Sequence, residues 1–147
     1  MGYTHYWYRQ SRIETKTFNS IKKDFEKVLP EFKDLICLEY DKPNEEPEID
    51  SKGIQFNGKE SAGHETLWFP KIRTMQDYEK IQDDGLISDF CKTAQKPYDI
   101  AVMVFLIIAK RHLKDSIKVR SDGQTEDWQP AVELCQTKLG YGKTFRI

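Results

Sequence analysis

The chain has 147 residues, the length of one domain at roughly 100–200 residues per domain, and we expect a single globular domain over residues 1–147. Hydrophobic residues make up 38% of the chain, but aromatic residues reach 12%, and their large side chains offset the shortfall in buried area. The 23 Lys and Arg residues balance the 24 Asp and Glu residues, for a formal net charge of -1. Because neither charge is in excess, neither nucleic acid nor a membrane is expected as a partner.

Neither a transmembrane segment nor a disulfide framework is visible in the sequence. The longest uninterrupted apolar run, Ile100 to Ala109, is about half of the ~20 residues that a transmembrane helix needs. Cys37, Cys91 and Cys135 are an odd number of widely spaced cysteines, which fits neither paired disulfides nor a CxxC zinc site. We therefore expect a cytoplasmic protein with free thiols.

The first predicted element is a strand from Gly2 to Gln10, because Tyr, Trp, Thr and His crowd this stretch and suit a pleated surface. Aromatic side chains fall on both of its faces, so we expect a central strand. Next, apolar residues recur at helical spacing from Phe18 to Leu29 and stop at Pro30. This pattern predicts an amphipathic helix packed on the sheet.

The middle of the chain combines short strands with polar loops. Leu35 to Tyr40 predicts a short strand, and the stretch 41–52, with five acidic residues and two prolines, predicts an exposed acidic loop. Gly53 to Phe56 and His64 to Phe69 are predicted to pair as a hairpin, with the turn signal Asn57-Gly58 between them.

Two helices of unequal signal strength are predicted next. Met75, Tyr78 and Ile81 would line one side of a short helix that ends near Gly85. The segment from Tyr98 to Leu113 is apolar on every side over its centre, which is typical of a helix buried all round.

The last predicted elements are a strand, Ser116 to Arg120, and a helix, Asp127 to Leu139, which Gly140 terminates. Residues 141–147 are expected to form a short C-terminal tail. Because strands and helices do not alternate regularly, the predicted fold class is α+β. We expect a mainly antiparallel sheet of about five strands with three to four helices, of which the helix at 98–113 is buried.

Two enzyme signatures fail when their spacing is checked. His64-Glu65 begins like a metalloprotease helix, but Trp68 stands where the second histidine is needed. Gly140 to Thr144 ends like a phosphate-binding loop, yet Thr137 replaces its leading glycine. No cluster with metal-ligand spacing is visible either, so no metal and no other cofactor is expected.

The segment before the buried helix is the most informative polar stretch. Lys92, Thr93 and Lys96 precede a helix N-terminus, where unpaired backbone N–H groups favour an anion. This order of residues fits a seat for a phosphate or a carboxylate. It fits equally an ordinary helix cap with both lysines in solvent, and the sequence leaves the two explanations open.

Catalytic residues are harder to predict, because the sequence does not show which side chains meet. The candidates for general acid and base are two histidines and two acids: His5, His64, Glu65 and Asp122. A covalent mechanism would use Cys91 as nucleophile, with one of these histidines as base and an acid such as Asp99 or Asp122. Most cysteines in such positions are inert, so whether the protein is an enzyme stays open.

Several blocks of the chain together resemble a family of uncharacterised bacterial and phage proteins. The most specific block is the opening heptapeptide, Met1 to Trp7, since runs of such residues are rare. The other blocks are Ile54 to Gly58, His64 to Thr66, Phe90 to Thr93, Lys96 to Asp99, Ser121 to Gly123 and Asp127-Trp128. The resemblance spans Met1 to about Leu139 and implies no established activity. The blocks hold more polar and aromatic residues than packing requires, which indicates a site.

These features predict a small-molecule-binding protein whose ligand carries a phosphate and a flat ring, such as a nucleotide or a nucleotide-derived signal. The predicted ligand-binding residues are polar and aromatic members of the blocks: Tyr6, Trp7, Asn57, His64, Thr66, Lys92, Thr93, Lys96, Tyr98, Asp122 and Trp128. If the protein is viral, as the resemblance allows, it would act in the host cytoplasm. There it would sequester an immune messenger without cleaving it, an anti-defence role.

Two alternative functions come from other classes. The first is a hydrolase that acts on such a ligand with His, Asp and Glu side chains or with a metal. The second is a protein–protein inhibitor or adaptor that uses the acidic loop as its contact. The sequence does not decide whether the chain forms a homo-oligomer.

Overall fold

The computed structural model describes residues 2–74 and 84–147. In chain order its helices and strands are β1 (Thr4–Arg9), α1 (Thr15–Val28), β2 (Ile36–Cys37), β3 (Glu48–Ile49), β4 (Gly53–Gly58), β5 (Leu67–Pro70), β6 (Ile87–Lys92), α2 (Asp99–Leu113), β7 (Ile117–Ser121) and α3 (Gln129–Leu139). The strands pair antiparallel, which confirms the predicted α+β class. They divide, however, between two sheets instead of forming one. The helix predicted around Met75, Tyr78 and Ile81 lies outside the described residues.

The first sheet has three strands, with β1 in the centre between β6 and β7. The sequence predicted this central position from the aromatic residues on both faces of β1. In the register of the sheet, His5 lies opposite Cys91 on one side and Ser121 on the other. Side chains directly opposite one another in antiparallel strands point to the same face, so the register decides which side chains meet.

The second sheet is built around β4, which pairs with β2, β3 and β5. The predicted hairpin of β4 and β5 is confirmed, but its second strand begins at Leu67, and residues 64–66 belong to the connection. Strand β3 lies within the predicted acidic loop and pairs with β4 through Glu48 and Ile49. A bridge between Arg12 and Ile72 connects the chain after β1 to the end of β5.

One hydrophobic core is shared by both sheets and the three helices. Helix α1 contributes the apolar stripe that its spacing predicted, with Phe18, Ile21, Phe25 and Val28 buried. Every residue of α2 from Ala101 to Ala109 is buried, as expected for a helix that is apolar on all sides. No helix in the described part of the chain is both long enough and apolar enough to cross a membrane.

Strand β6 was not predicted, and its side-chain pattern explains why. The side chains of Ile87, Asp89 and Cys91 point inward, and those of Ser88, Phe90 and Lys92 point outward. Asp89 points inward beside Arg73, with which it pairs, while Phe90 points outward and is 58% exposed. Because a charged residue lies inside and an aromatic residue outside, the alternation that indicates a half-buried strand is inverted.

A buried arginine joins the two sheets. Arg9, at the end of β1, is fully buried and stacks on the Phe69 ring with its guanidinium carbon 4.6 Å from the ring centroid. It donates hydrogen bonds to the carbonyl oxygens of Gln10, Pro70 and Lys71. Burial lowers its pKa to about 10, which leaves it charged at neutral pH.

Candidate functional site

The inner face of the three-stranded sheet carries a buried polar cluster centred on His5. The imidazole is fully buried, with Nε2 2.7 Å from Oδ1 of Asp99 and Nδ1 2.8 Å from Oγ of Ser121. Thr93, also fully buried, donates its hydroxyl to the same Asp99 oxygen at 2.5 Å. We call His5, Thr93, Asp99 and Ser121 the inner cluster. It joins β1 to the end of β7 and to the first turn of α2.

The partners of the inner cluster fix the direction of its hydrogen bonds. An ionised carboxylate only accepts hydrogen bonds, so the His5 nitrogen facing Asp99 must carry a proton. In a neutral imidazole the other nitrogen is then an acceptor, and the hydroxyl of Ser121 donates to it. The Ser121 oxygen in turn accepts the backbone N–H of Gly123 at 2.9 Å. With a neutral imidazole, the hydrogen bonds therefore run from serine through histidine to aspartate.

The inner cluster adjoins a turn in an unusual conformation. Ala94 and Gln95 both have positive φ, 53° and 56°. The turn they form is closed by the Lys96 amide, which donates a hydrogen bond of 3.0 Å to the Thr93 carbonyl. Two consecutive left-handed residues define a type I′ turn, which Asn-Gly usually occupies because other residues are strained there. The strain is held in place by Tyr3, whose carbonyl accepts the amides of Thr93 and Ala94.

Tyr3 also lies next to the serine end of the cluster. Its ring is 5.3 Å from the His5 ring in an edge-to-face contact. A Cβ atom at Gly123 would lie 2.0 Å from the Tyr3 hydroxyl, so this close approach requires glycine. Burial, with the negative charges of Asp99 and Asp127, raises the pKa of the Tyr3 hydroxyl above its usual value. The phenol therefore stays protonated at neutral pH and can donate a hydrogen bond.

Cys91, the nucleophile that the sequence suggested as one option, lies beside His5 in the sheet but is not activated there. Its thiol contacts the carbonyl oxygen of Glu65 at 3.5 Å, and burial raises its pKa to about 12. The buried Tyr98 donates its hydroxyl to the same carbonyl at 2.6 Å. Because the thiolate is the reactive form, this environment gives Cys91 a structural role.

The outer face of the three-stranded sheet presents a different set of side chains. Tyr6 lies between Phe90 on β6 and Arg120 on β7. Two residues further along β1, Tyr8 lies opposite Lys118 on β7. Phe90, Lys118 and Arg120 are exposed, and Tyr6 and Tyr8 are partly exposed. We call Tyr6, Tyr8, Phe90, Lys118 and Arg120 the outer face. Phe90 has the greatest exposure, 58%, of the large hydrophobic residues that the structure describes.

Asp122 and Lys92 border the outer face at the Thr4 end of β1. One Asp122 oxygen accepts the Thr4 amide at 3.0 Å and the other accepts the Tyr6 hydroxyl at 3.2 Å. Lys92 lies opposite Thr4 in β6, and its amide donates to a carboxylate oxygen of Glu65 at 2.6 Å. The structure therefore brings together Tyr6, Asp122 and Lys92 from the predicted ligand-binding residues.

Three other predicted ligand-binding residues form a separate group in the β4–β5 connection. The amide nitrogen of the buried Asn57 donates to the His64 carbonyl and to the Thr66 hydroxyl, both at 3.0 Å. Its oxygen accepts the amides of Gly58 and His64. Asn57 thus holds the connection in shape, while the His64 side chain is exposed.

The aromatic rings of Trp7 and Trp128 are buried in the core, where both are 1% exposed. Trp7 packs against Phe69, and Trp128 lies between His5 and Phe145, with ring centroids 5.0 Å from each. Their faces are therefore covered by other side chains.

The helix N-terminus predicted as an anion seat already has an acidic partner. Asp99 lies in the first turn of α2 and accepts the Thr93 hydroxyl, while Lys92 and Lys96 remain partly exposed. A carboxylate at this position satisfies the positive end of the helix dipole. Thr93 also accepts the Gln95 amide and so closes the turn before the helix, which favours the explanation without a bound anion, although the N-cap position of α2 is Tyr98 and has no side-chain cap hydrogen bond.

Sequence reasoning missed three residues that the structure brings into these groups. Ser121 was assigned to a turn because Ser-Asp-Gly is a common turn sequence, and its position opposite His5 follows from the register. Phe90 was not selected because β6 was not recognised as a strand, and Arg120 was not selected because its position opposite Tyr6 follows from the register. The signal available was the alternation of Ser88, Phe90 and Lys92, which places all three on one face.

No group of three or more His, Cys, Asp or Glu side chains in residues 2–74 and 84–147 is arranged to hold a metal ion. Comparison of the chain with protein-family models, curated proteins and solved structures finds no match. The resemblance at Met1 to Trp7 and the other blocks therefore stays an expectation, and function must be argued from the site alone.

Proposed function

We propose that the protein binds a small ligand with a flat ring and a phosphate, such as a nucleotide or a nucleotide derivative, on the outer face of its three-stranded sheet. The observation that carries this proposal is the pairing of Tyr6 with the exposed Phe90 on one side and Arg120 on the other. Aromatic rings on the open face of an antiparallel sheet provide a surface on which a planar base stacks.

The aromatic half of this surface supports a ring-shaped ligand. Phe90 exposes 58% of its surface on a strand where a polar residue would fold equally well. Directly across from it, Tyr6 is held by Asp122 through a hydrogen bond of 3.2 Å. A ring already held in position loses little side-chain entropy when a ligand stacks on it, which favours binding.

The charged half supports a phosphate. Arg120 and Lys118 lie in β7 on the outer face, and Lys92 lies on the same face of β6. Lys118 is paired with Asp84, so the positive charge that this face offers a phosphate comes from Arg120 and Lys92. Arginine binds phosphate oxygens through two parallel hydrogen bonds, which assigns this role first to Arg120.

Nuclear magnetic resonance titration tests the proposal. Backbone amide shifts would be followed while adenosine, guanosine and cytidine monophosphates are added one at a time, with inorganic phosphate as a ring-free probe. We expect shifts that cluster on β1, β6 and β7. Phe90→Ala should weaken nucleotide binding roughly 5-fold to 100-fold, since stacking on one aromatic ring contributes about 1–3 kcal/mol.

The matched control is Trp68→Ala, which removes another exposed aromatic residue, 46% exposed, from the second sheet. It should leave nucleotide binding unchanged. Native mass spectrometry of protein purified gently from its own host would identify a natural ligand as a bound mass of several hundred daltons. The proposal would be contradicted if the nucleotide-induced chemical shifts were as large in Phe90→Ala as in the wild type. It would also be contradicted if mass spectrometry showed a bound protein and charge reversal in the acidic loop abolished its binding.

A further inference from the structure

We infer that Ser121 is a nucleophile toward activated acyl esters, with His5 as its general base and Asp99 as the residue that positions the base. This inference concerns the inner cluster, so it does not rest on the binding of a ligand to the outer face. The alternative is that the cluster only satisfies buried polar groups at the junction of β1, β7 and α2.

The geometry meets the requirements of nucleophilic catalysis by serine. The Ser121 hydroxyl and the Asp99 carboxylate lie at opposite nitrogens of the His5 ring, at 2.8 Å and 2.7 Å, and with a neutral imidazole the donors point from serine toward aspartate. The order of roles is that of a serine hydrolase, although here serine faces Nδ1 and aspartate faces Nε2. A hydroxyl becomes a nucleophile when a base within hydrogen-bond distance takes its proton, and a third group holds that base in the correct tautomer.

The exposure of Ser121 distinguishes the inner cluster from a set of buried polar groups that only satisfy one another. Ser121 stands at the end of β7 and is partly exposed, whereas its base is fully buried. The amide of Gly123 already bonds to the Ser121 oxygen, and the Tyr3 hydroxyl lies against Gly123. Both donors lie at the serine oxygen and hold the nucleophile in place, whereas the negative charge of the transition state develops on the carbonyl oxygen of the substrate.

The strained turn is a second, independent observation. Ala94 and Gln95 hold positive φ next to Thr93, which bonds to Asp99. Such strain persists where the surrounding structure needs a residue at a fixed place, and it concentrates at functional sites. Here the turn sets the position of the Thr93 hydroxyl, and thereby of the carboxylate that orients His5.

The proposed reaction passes through an acyl-serine intermediate. The Ser121 oxygen forms a bond to the acyl carbon of a carboxylic ester or thioester, while the bond from that carbon to its alcohol or thiol breaks. The serine proton passes to Nδ1 of His5 and from there to the leaving group. Water then attacks the acyl-serine, gives its proton to His5, and releases the acid with serine restored.

A fluorophosphonate probe tests the nucleophile directly, because it reacts with activated serines. Attack forms a bond from the Ser121 oxygen to phosphorus and expels fluoride. We expect the full-length folded protein to gain one probe mass, mapped to the peptide that contains Ser121, and to hydrolyse p-nitrophenyl acetate. Ser121→Ala should abolish both reactions. His112→Asn, a change at the other aspartate-bonded histidine, should leave both unchanged.

Asp99→Asn tests the positioning role with a measurement that a purely structural role would not change. The amide keeps the size of the carboxylate but favours the wrong tautomer of His5, so labelling should slow by about 100-fold or more and its pH profile should change shape. His5→Gln is a less informative variant because the buried site is apt to unfold. If the folded wild-type protein is not labelled, is labelled at another residue, or reacts no faster than protein unfolded in urea, the inference is wrong.

Discussion

Among residues 2–74 and 84–147, two aspartate–histidine pairs have the same length but different surroundings. In the inner cluster, one oxygen of Asp99 accepts hydrogen bonds from the His5 ring and the Thr93 hydroxyl. In the second pair, one oxygen of Asp24 accepts hydrogen bonds from the His112 ring and the Tyr141 hydroxyl. Both histidine contacts are 2.7 Å.

The two pairs differ in burial and in what lies beyond the histidine. The His5 side chain is 0% exposed and its second nitrogen bonds to a serine hydroxyl, whereas the His112 side chain is 24% exposed. The Asp24 pair joins α1 to α2 and to the C-terminal tail, which is a tethering role. Only the His5 pair has the third group that a nucleophilic mechanism needs, because its second nitrogen contacts a serine hydroxyl.

The largest expected difference between the pairs is in stability. Asp99→Ala leaves two fully buried donors, His5 and Thr93, without their acceptor, and we expect it to lower the free energy of unfolding by about 2–6 kcal/mol, or about 1–3 kcal/mol for each donor. Asp24→Ala should cost about 1–3 kcal/mol, because water reaches the partly exposed His112 and Tyr141. Urea unfolding followed by circular dichroism measures both, with the exposed Asp34→Ala as a control expected within about 0.5 kcal/mol of wild type. Equal losses for Asp99→Ala and Asp24→Ala would show that burial does not distinguish the pairs.

A smaller effect should appear in acid. Burial alone would raise the pKa of Asp24, but hydrogen bonds from Tyr141 and His112 outweigh it and hold the pKa below the ordinary value of 3.8. A carboxyl with a depressed pKa contributes stability above its ordinary pKa and loses it as the pH falls through the folded value. The stability difference between wild type and Asp24→Asn should therefore be constant near neutral pH and shrink below about pH 3.8. A difference that stays constant down to pH 2 would contradict the assignment.

The sequence predicted most clearly those elements in which apolar side chains are buried and polar ones are exposed. Helix α2 is apolar on every side and is buried on every side, and α1 buries the stripe that its spacing indicates. Strand β6 escaped prediction because Asp89 points inward and Phe90 outward, which is the reverse of the rule.

The candidate sites could be predicted only in part, because they depend on contacts between distant residues. His5 and Asp99 are 94 residues apart in the sequence, and His5 and Ser121 are 116 apart. The residue types suggested a base and an acid, but the register of β1 with β7 selected Ser121 as the third member. Asn57 illustrates the opposite case, since its polar groups are all used within its own connection.

The tautomer of His5 decides whether the hydrogen bonds run from Ser121 to Asp99, as a nucleophilic Ser121 requires. Long-range ¹⁵N–¹H correlation spectra of histidine-labelled protein at pH 8 report which ring nitrogen carries the proton. We predict that Nε2 of His5 is protonated and that Nδ1 is not, with a Ser121→Ala variant shifting the Nδ1 resonance. A proton on Nδ1 would mean that Ser121 accepts a hydrogen bond from His5, and the account of Ser121 as a nucleophile would then be contradicted.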